Sequence, residues 1–483
     1  MLKPEKNSQI IVDRRPLWIV IFDRMRRPIL LTLIFAVFLI LLNQEGPKDL
    51  SPEGYKVLCV FFLSVSLWST NLIPLSVTSL LVIALIPLLR IMEASEVYSF
   101  FGNRAVFFIL GVFILSAAMV GSGLSVRLSM WVMEHFGGTP QKLITAIYFF
   151  GAISSCFMSE HAVATMLFPI LTEIVSALNL QRGTSVFAKA LFFSMAWGCI
   201  IGGAMTVLGG GRVPLAVEIL EKSTQGNSTL GILEYTLLSF PLVLLLFLSG
   251  WGVLVKMFPS DLEDIKPAQK ILAQKHRTLG VMTFQEKGIA VVMGLTLFTW
   301  FGYGDALGIA NIALLSLVLL FSLNLINWKM VEPHINWAII LMYGGAICLG
   351  EVMATSGAAL WLSQSLFEGT VQSGTLFLIS IAILSLLFTT IMSNSAVIAI
   401  LLPPAISMCE AYGISPALAT LTVILPSNFA FSLPIATPAS ALAYSSRTIT
   451  LGEMIRAGSL LSLLGMGCYF FLLLVYWPMI GFK

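Results

Sequence analysis

The 483-residue chain is 58% hydrophobic and 11% charged, with a mean hydropathy of +0.94. Soluble domains carry about 25% charged residues, so composition excludes a soluble globular protein. The formal net charge of +3 gives no electrostatic basis for binding nucleic acid.

A helix that crosses a bilayer needs roughly 20 apolar residues, and blocks of that size recur along the chain. The first, Pro28–Leu42, follows a basic stretch that includes Lys3, Arg14, Arg15, Arg24, Arg26 and Arg27. No small-residue cleavage site follows it, so the stretch reads as a retained cytoplasmic segment rather than a cleavable signal. Blocks at 53–69, 72–90, 105–121, 185–208 and 233–256 bring the expected crossings to six. The most polar internal segment, "SDLEDIKPAQKILAQKHRTLGVMTFQEK" at 260–287, carries four lysines and one arginine and is expected to be cytoplasmic. Blocks at 288–302, 307–324, 336–353, 417–437 and 457–480 add five more, which leaves the C-terminus external.

Two apolar blocks stand apart. Residues 140–178 are interrupted by Ser159-Glu160-His161, and residues 373–410 by Ser393-Asn394-Ser395. Each reads as helix, polar tip, helix. Each follows an amphipathic piece, at 124–136 and 359–369. This pattern predicts interfacial helices leading into re-entrant hairpins, whose irregular tips must be buried in protein or face a water-filled cavity. The two halves match elsewhere in the same order: 106–129 resembles 338–363, and 204–217 matches 432–444. The expected fold is therefore an all-α polytopic membrane protein of about 11 transmembrane helices, with two inverted five-helix repeats. Residues 1–52 form the N-terminus and first helix. Residues 53–256 form the first repeat, with a hairpin at 140–178 and a broken helix at 185–220. A cytoplasmic loop spans 257–287. Residues 288–483 form the second repeat, with a hairpin at 373–410 and a broken helix at 417–447. Inverted repeats with interrupted helices are the layout of secondary transporters.

On these motifs the chain resembles the divalent anion:sodium symporter family over nearly its whole length beyond the first span. That family carries a Ser-Asn-Thr motif at each hairpin tip, facing a Gly-Thr-Pro-Pro-Asn-like or Ala-Thr-Pro-Pro-like helix break. The second copy follows the pattern, with Ser393-Asn394-Ser395 and then Ala436-Thr437-Pro438 inside "LPSNFAFSLPIATPASALAYSS". The resemblance implies a sodium ion held by Thr389, Asn394 and the carbonyls of Met392 and Ala436. It also implies a substrate carboxylate touched by Asn394, Ser395 and Thr437, with Ser393 in the same tip. Elementary chemistry agrees. Sodium is a hard cation that seeks several oxygens, and a helix starting after the tip points free N–H groups at an anion. Taken singly, Ser393 and Thr389 equally suit helix capping and back-bonding to the helix.

The first copy departs from the pattern. Ser155, Ser159 and Gly209 occupy positions of a first sodium site, but Glu160 replaces the expected Asn and His161 the expected Thr. The facing break is Gly209-Gly210-Gly211-Arg212. Three roles stay open for this substrate-facing trio. Glu160 replaces the Asn oxygen as a sodium ligand. Alternatively, Arg212 serves as a built-in cation with Glu160 as its partner, which suits the planar guanidinium. In the third, Glu160 or His161 carries a proton. Ionisable groups inside a membrane are expected to be functional and paired.

Other polar residues have plainer readings. Glu351 reads as a cap or hinge at a helix end, and Lys189 and Glu173 as locally paired or snorkelling groups. Trp197 and Trp337 read as packing or interface anchors. Gly202, Gly203, Gly344 and Gly345 read as points of close helix approach. The six cysteines are scattered through apolar segments as small buried hydrophobes, without disulfides or a zinc site. His135, His276 and His334 are expected outside the core and apart from His161.

The expected activity is secondary transport of a small anion, a di- or tricarboxylate, coupled to sodium through at least the second tip. A sulfate-like oxyanion transporter or an anion exchanger is the alternative within that class. A cation/proton antiporter built on Glu160 is the alternative outside it. The chain lacks H-E-x-x-H and G-x-S-x-G signatures, so no enzyme and no cofactor beyond the coupling ion, sodium or a proton, is expected. The resemblance further implies a homodimer with a mobile transport domain, in a bacterial inner membrane.

Overall fold

The computed structural model describes residues 17–367 and 373–482. Lys3, Arg14 and Arg15 of the basic N-terminus, Glu368 and Gly369 at the end of the second amphipathic piece, and Lys483 lie outside the described residues. The described chain forms two units, divided between Glu45 and Gly46. The first holds α1 (Leu17–Leu42), which has Pro28 inside it and exposes Leu33, Leu39 and Ile40.

The second unit begins with α2 (Pro52–Thr70) and α3 (Leu75–Leu88). Ser51 caps α2 by accepting from the Gly54 amide, Pro52 pre-sets its first turn, and Asn71 ends it in the left-handed region. The short α4 (Ala94–Ser99) leads to α5 (Arg104–Gly121), capped by Asn103, and then to the amphipathic α6 (Leu124–Phe136). Next come α7 (Pro140–Ser155), a four-residue tip, and α8 (Glu160–Ala177). A broken helix follows: α9 (Val186–Gly203), non-helical residues 204–211, and α10 (Arg212–Ser223). Helix α11 (Ile232–Met257) is long and apolar. The polar segment after it folds its centre into α12 (Lys266–Thr278), where the sequence reading saw only a loop.

The second half begins with α13 (Phe284–Leu307), α14 (Ile309–Ser322) and the short α15 (Trp328–Val331). Then follow α16 (Trp337–Thr355) and α17 (Ala358–Phe367). The second helix–tip–helix comprises α18 (Gly374–Ile391) and α19 (Asn394–Ser407), followed by the short α20 (Cys409–Tyr412). The second broken helix comprises α21 (Pro416–Ser427), non-helical residues 428–437 and α22 (Pro438–Ser445). The chain closes with α23 (Leu451–Phe471), a π-helical turn at Leu472–Tyr476, and α24 (Trp477–Met479).

Among the described residues, seven helices are long and apolar enough to cross a membrane. They include α18, expected from the sequence as a hairpin arm, while α3, α14, α19 and α21 are apolar but shorter. Interruption is the reason for the shortness of α21: the 417–437 block is helical only as far as Ser427.

The packing order brings the two halves together. Helix α9 packs on α7 and α8, and α21 packs on α18 and α19. Past each break, the partners exchange: α10 packs on α19, and α22 packs on α8. Each tip therefore lies against the broken helix of its own half and the continuation of the other. Glycine makes the closest approach possible. A Cβ on Gly202 would sit 1.9 Å from the Ala152 carbonyl oxygen, and one on Gly345 2.5 Å from the Ser79 Cβ.

Candidate functional site

The first tip is built by a capped helix start. Ser159 accepts from the Ala162 amide at 3.2 Å, so α8 begins at Glu160 with its N-terminus at the tip. The Glu160 amide donates to the Gly209 carbonyl at 3.1 Å, which joins the tip to the first break. A Cβ on Gly209 would lie 2.3 Å from the Ser155 carbonyl oxygen, so this junction admits only glycine without movement. Thr206, inside the break, donates to the Cys156 carbonyl at 2.5 Å. Thr206 is not among the site residues expected from the sequence; a hydroxyl residue three positions before the glycine run is the only local signal for it.

Arg212 opens α10 just across the break. Its Nη1 and Nη2 donate to the same Glu160 oxygen, Oε2, at 3.2 and 3.1 Å. Glu160 is 7% exposed and Arg212 4%, so this is a buried ion pair. The guanidinium lies over Gly210, whose missing Cβ would meet Arg212 Cζ at 3.2 Å. Burial of two charges is tolerated because they neutralise each other; removing either leaves an uncompensated charge. Arg212 Nε and the Tyr343 hydroxyl are buried without a hydrogen-bond partner among the described residues.

The second tip has the same backbone design and different chemistry. Ser393 caps α19 by accepting from the Ala396 amide at 3.3 Å, and Thr437 caps α22 by accepting from the Ser440 amide at 3.2 Å. Thr389 Oγ1 lies 2.7 Å from Asn394 Oδ1 and 2.8 Å from the Ser427 carbonyl. One hydroxyl proton serves two acceptors, so this buried cluster holds surplus oxygen lone pairs, which suits a hard cation. The Ser427 carbonyl was not foreseen from the sequence. Asn394 Nδ2 is buried without a partner among the described residues, a donor left over for an anion.

The two tips meet at one cavity of about 600 Å³. Ser159, Glu160, His161 and Arg212 line one part of it; Ser393, Asn394, Ser395 and Ala436 line another. Of the other expected site residues, Thr389 stands behind Asn394. Met392, Thr437, Ser155 and Gly209 also belong to the tips and breaks without lining the cavity. Unforeseen walls come from α5, through Ser116 and Phe113, and from the start of α16, through Asn336 and Trp337. His334 lines this cavity together with His161, which corrects its expected separation.

Two further readings change. Lys189 does not pair locally: its Nζ donates to Glu453 Oε1 at 2.6 Å, across 264 positions of sequence. Glu173 likewise pairs with Lys275 of α12, at 2.5 Å. Glu351 lies within α16, four residues short of its last residue, and does not cap it. Trp197 is fully buried, packed against Phe193 and Phe431, as expected of a packing residue.

A helical membrane protein with two polar tips and two helix breaks around one internal cavity has the build of a transporter, and an enzyme is excluded by its family. A family model described as "Sodium:sulfate symporter transmembrane region" matches residues 26–482, and the chain belongs to that family of sodium-coupled anion symporters. The sodium-dependent dicarboxylate transporter SdcS of Staphylococcus aureus (strain bovine RF122 / ET3-1) is 27% identical over 469 residues, spanning 92% of this chain and 89% of that protein. The protein of the same name from Staphylococcus saprophyticus is 26% identical over 460 residues, spanning 89% and 87%. In three dimensions the chain is similar to the Alcanivorax borkumensis YdaH transporter, with 17% identity, a TM-score of 0.53, and 80% and 88% of the two chains covered. It is also similar to Neisseria gonorrhoeae MtrF, with 14% identity, a TM-score of 0.55, and 78% and 82% covered. At these identities the structural likeness concerns the fold.

Proposed function

We propose that the protein transports a small di- or tricarboxylate, coupled to sodium at the second tip, with Arg212 as a fixed cation in place of sodium at the first. The observation that carries this reading is the single cavity shared by the neutral Thr389–Asn394–Ser427 cluster and the Glu160–Arg212 pair. At the second tip, sodium takes Thr389, Asn394 and the carbonyls of Met392 and Ala436, with the Ser427 carbonyl beside them. Substrate meets Asn394 and Ser395 there, with Thr437 behind them as the cap of α22, and Ser159, His161 and Arg212 at the other end. The capped starts of α8 and α19 both open on this space, so each end of a dicarboxylate meets the positive end of a helix. The name of the Staphylococcus relatives supports a dicarboxylate over sulfate.

The eleven-span, inverted-repeat division fits this reading. The hairpins and broken helices move together as the transport domain in an elevator-type cycle, within a homodimer. The N-terminus is cytoplasmic and the C-terminus external, in a bacterial inner membrane. The test is uptake by proteoliposomes with an imposed sodium gradient, using succinate, citrate and sulfate. Sodium-driven succinate or citrate uptake is expected. Sodium-driven sulfate uptake that neither carboxylate inhibits would overturn the substrate class, and carboxylate uptake indifferent to sodium would overturn the coupling.

A further inference from the structure

We infer that the outward face of α12 and the adjoining face of α13 form a binding site for one anionic phospholipid, its headgroup on α12 and its acyl chains on α13. Helix α12 sorts its charges by direction. Ala268 and Leu272 are buried, and the helix packs on α6 and α8. Toward those neighbours, Lys275 takes Glu173 of α8, and His276 takes Glu134 of α6. Lys266 takes Asp264 at 3.0 Å. The remaining two cations, Lys270 and Arg277, are exposed and have no side-chain partner among the described residues. They lie seven positions apart, so they share one face. With Ala273, Gln274 and Thr278 they line a shallow groove. Two unpaired cations and an amide along a groove present the donors that a phosphate diester accepts.

A second observation says what else the ligand carries. Helix α13 starts six residues after α12 ends, and one stripe along it is exposed and apolar: Phe284 83%, Val291 60%, Leu295 55% and Phe298 68%. Lys287 is exposed on the same stripe, near the end closer to α12. The corner between groove and stripe is fixed. Arg127 donates to the carbonyls of Gly280 and Leu279 at 2.7 and 2.8 Å, and to Glu286 Oε1 at 2.9 Å. A basic groove tied to an apolar stripe complements an anionic amphiphile rather than a free anion. Because α12 is clamped to α8 through Lys275, a lipid held there also braces the first hairpin.

The test uses the full chain purified in detergent, titrated with dioleoylphosphatidylglycerol, dioleoylphosphatidylcholine or inorganic phosphate, and read by thermal shift and native mass spectrometry. Phosphatidylglycerol should stabilise the wild-type protein and remain bound, whereas phosphatidylcholine should do so weakly. The Lys270→Gln/Arg277→Gln variant should bind phosphatidylglycerol about twenty-five-fold more weakly, at roughly fivefold for each basic side chain. It should keep its succinate-induced shift. Lys256→Gln, which removes an exposed cation from the end of α11, should change little. Equal stabilisation by the two lipids, or full phosphatidylglycerol binding by the double variant, would overturn the site. So would an equal loss in Lys256→Gln, since the effect would then be general surface charge. Reproduction of the stabilisation by phosphate alone would overturn the lipid as its ligand.

Discussion

The two tips share a backbone and differ in charge. At both, a serine caps the second helix of the pair, and a non-helical break of the facing helix lies alongside. At the second tip the polar groups are neutral, oxygen-rich and incompletely paired. At the first, the positions that follow the capping serine carry a carboxylate and an imidazole, and the carboxylate is held by an arginine from across the break. On the proposed reading, the neutral cluster takes its cation from solution, which can leave and so can couple transport to a gradient, whereas the Arg212 guanidinium, balanced by Glu160, stays in place.

The largest expected effect lies at the neutral tip. Asn394→Ala removes an oxygen from the Thr389 cluster and the free amide that faces the cavity, so uptake should fall to near background while the protein still inserts and folds. Wild-type kinetics in Asn394→Ala proteoliposomes would break the comparison, because the second tip would then not be where sodium and substrate meet.

The ionised tip should answer differently. Glu160→Gln or Arg212→Gln each leaves a buried charge alone, at a cost of about 3–5 kcal/mol. The double variant should cost clearly less than the sum, since neither charge is stranded. Residual transport in Arg212→Gln should depend more steeply on sodium, because the vacated position can admit the ion. In Glu160→Gln, apparent affinity for the dianion should rise and turnover fall. A double-mutant cycle read by thermal shift and uptake across sodium concentration checks both. Additive effects with unchanged sodium dependence would reject the fixed cation. Activity that titrates near neutral pH in the wild type and loses that profile in Glu160→Gln or His161→Asn would favour proton coupling.

A smaller change tests the junctions themselves. Gly209→Ala places a Cβ against the Ser155 carbonyl and should destabilise by about 1–3 kcal/mol. The second break already carries a side chain at Ala436, so Ala436→Gly should cost no more than about 1 kcal/mol. Equal losses would show that the breaks pack alike. Thermal denaturation in detergent measures both.

The smallest effect concerns how each broken helix begins. Helix α21 starts at Pro416 without a side-chain cap, whereas α9 has Ser185 and also Asp261, which accepts from the Val186 and Phe187 amides at 3.0 and 2.8 Å. Burial pushes the Asp261 carboxyl up, but those amides outweigh it and hold it below the usual carboxylate range. Its folded pKa is depressed, so its contribution is complete above that range and fades as pH falls through it. Asp261→Asn should therefore lose about 1 kcal/mol or less near pH 7. The difference from wild type should vanish in acid, as measured by denaturation at several pH values.

Much of the fold was legible in local pattern. Apolar blocks marked the long helices, and "SEH" and "SNS" marked the two tips because a polar triplet inside an apolar block must end a helix or face water. The amphipathic pieces before them became α6 and α17. Legibility failed where a polar residue's partner was distant. Lys189 looked like a group at a segment end, and nothing near it in the chain announces Glu453. The polar run at 260–287 read as a loop because α12 buries only Ala268 and Leu272, too few for a strong apolar stripe.

By itself the sequence determined what depends on near neighbours: membrane class, helix starts at Ser159 and Ser393, the breaks at the glycine run and before Thr437-Pro438. Backbone capping and apolar periodicity act over a few residues, so they can be read in place. Only the tertiary structure showed that Glu160 pairs with Arg212. Arg212 is 52 residues away in the chain, and the exchange of partners past the breaks is what brings both tips to one cavity. Charges interact through space, and a string of residue names does not carry their separation.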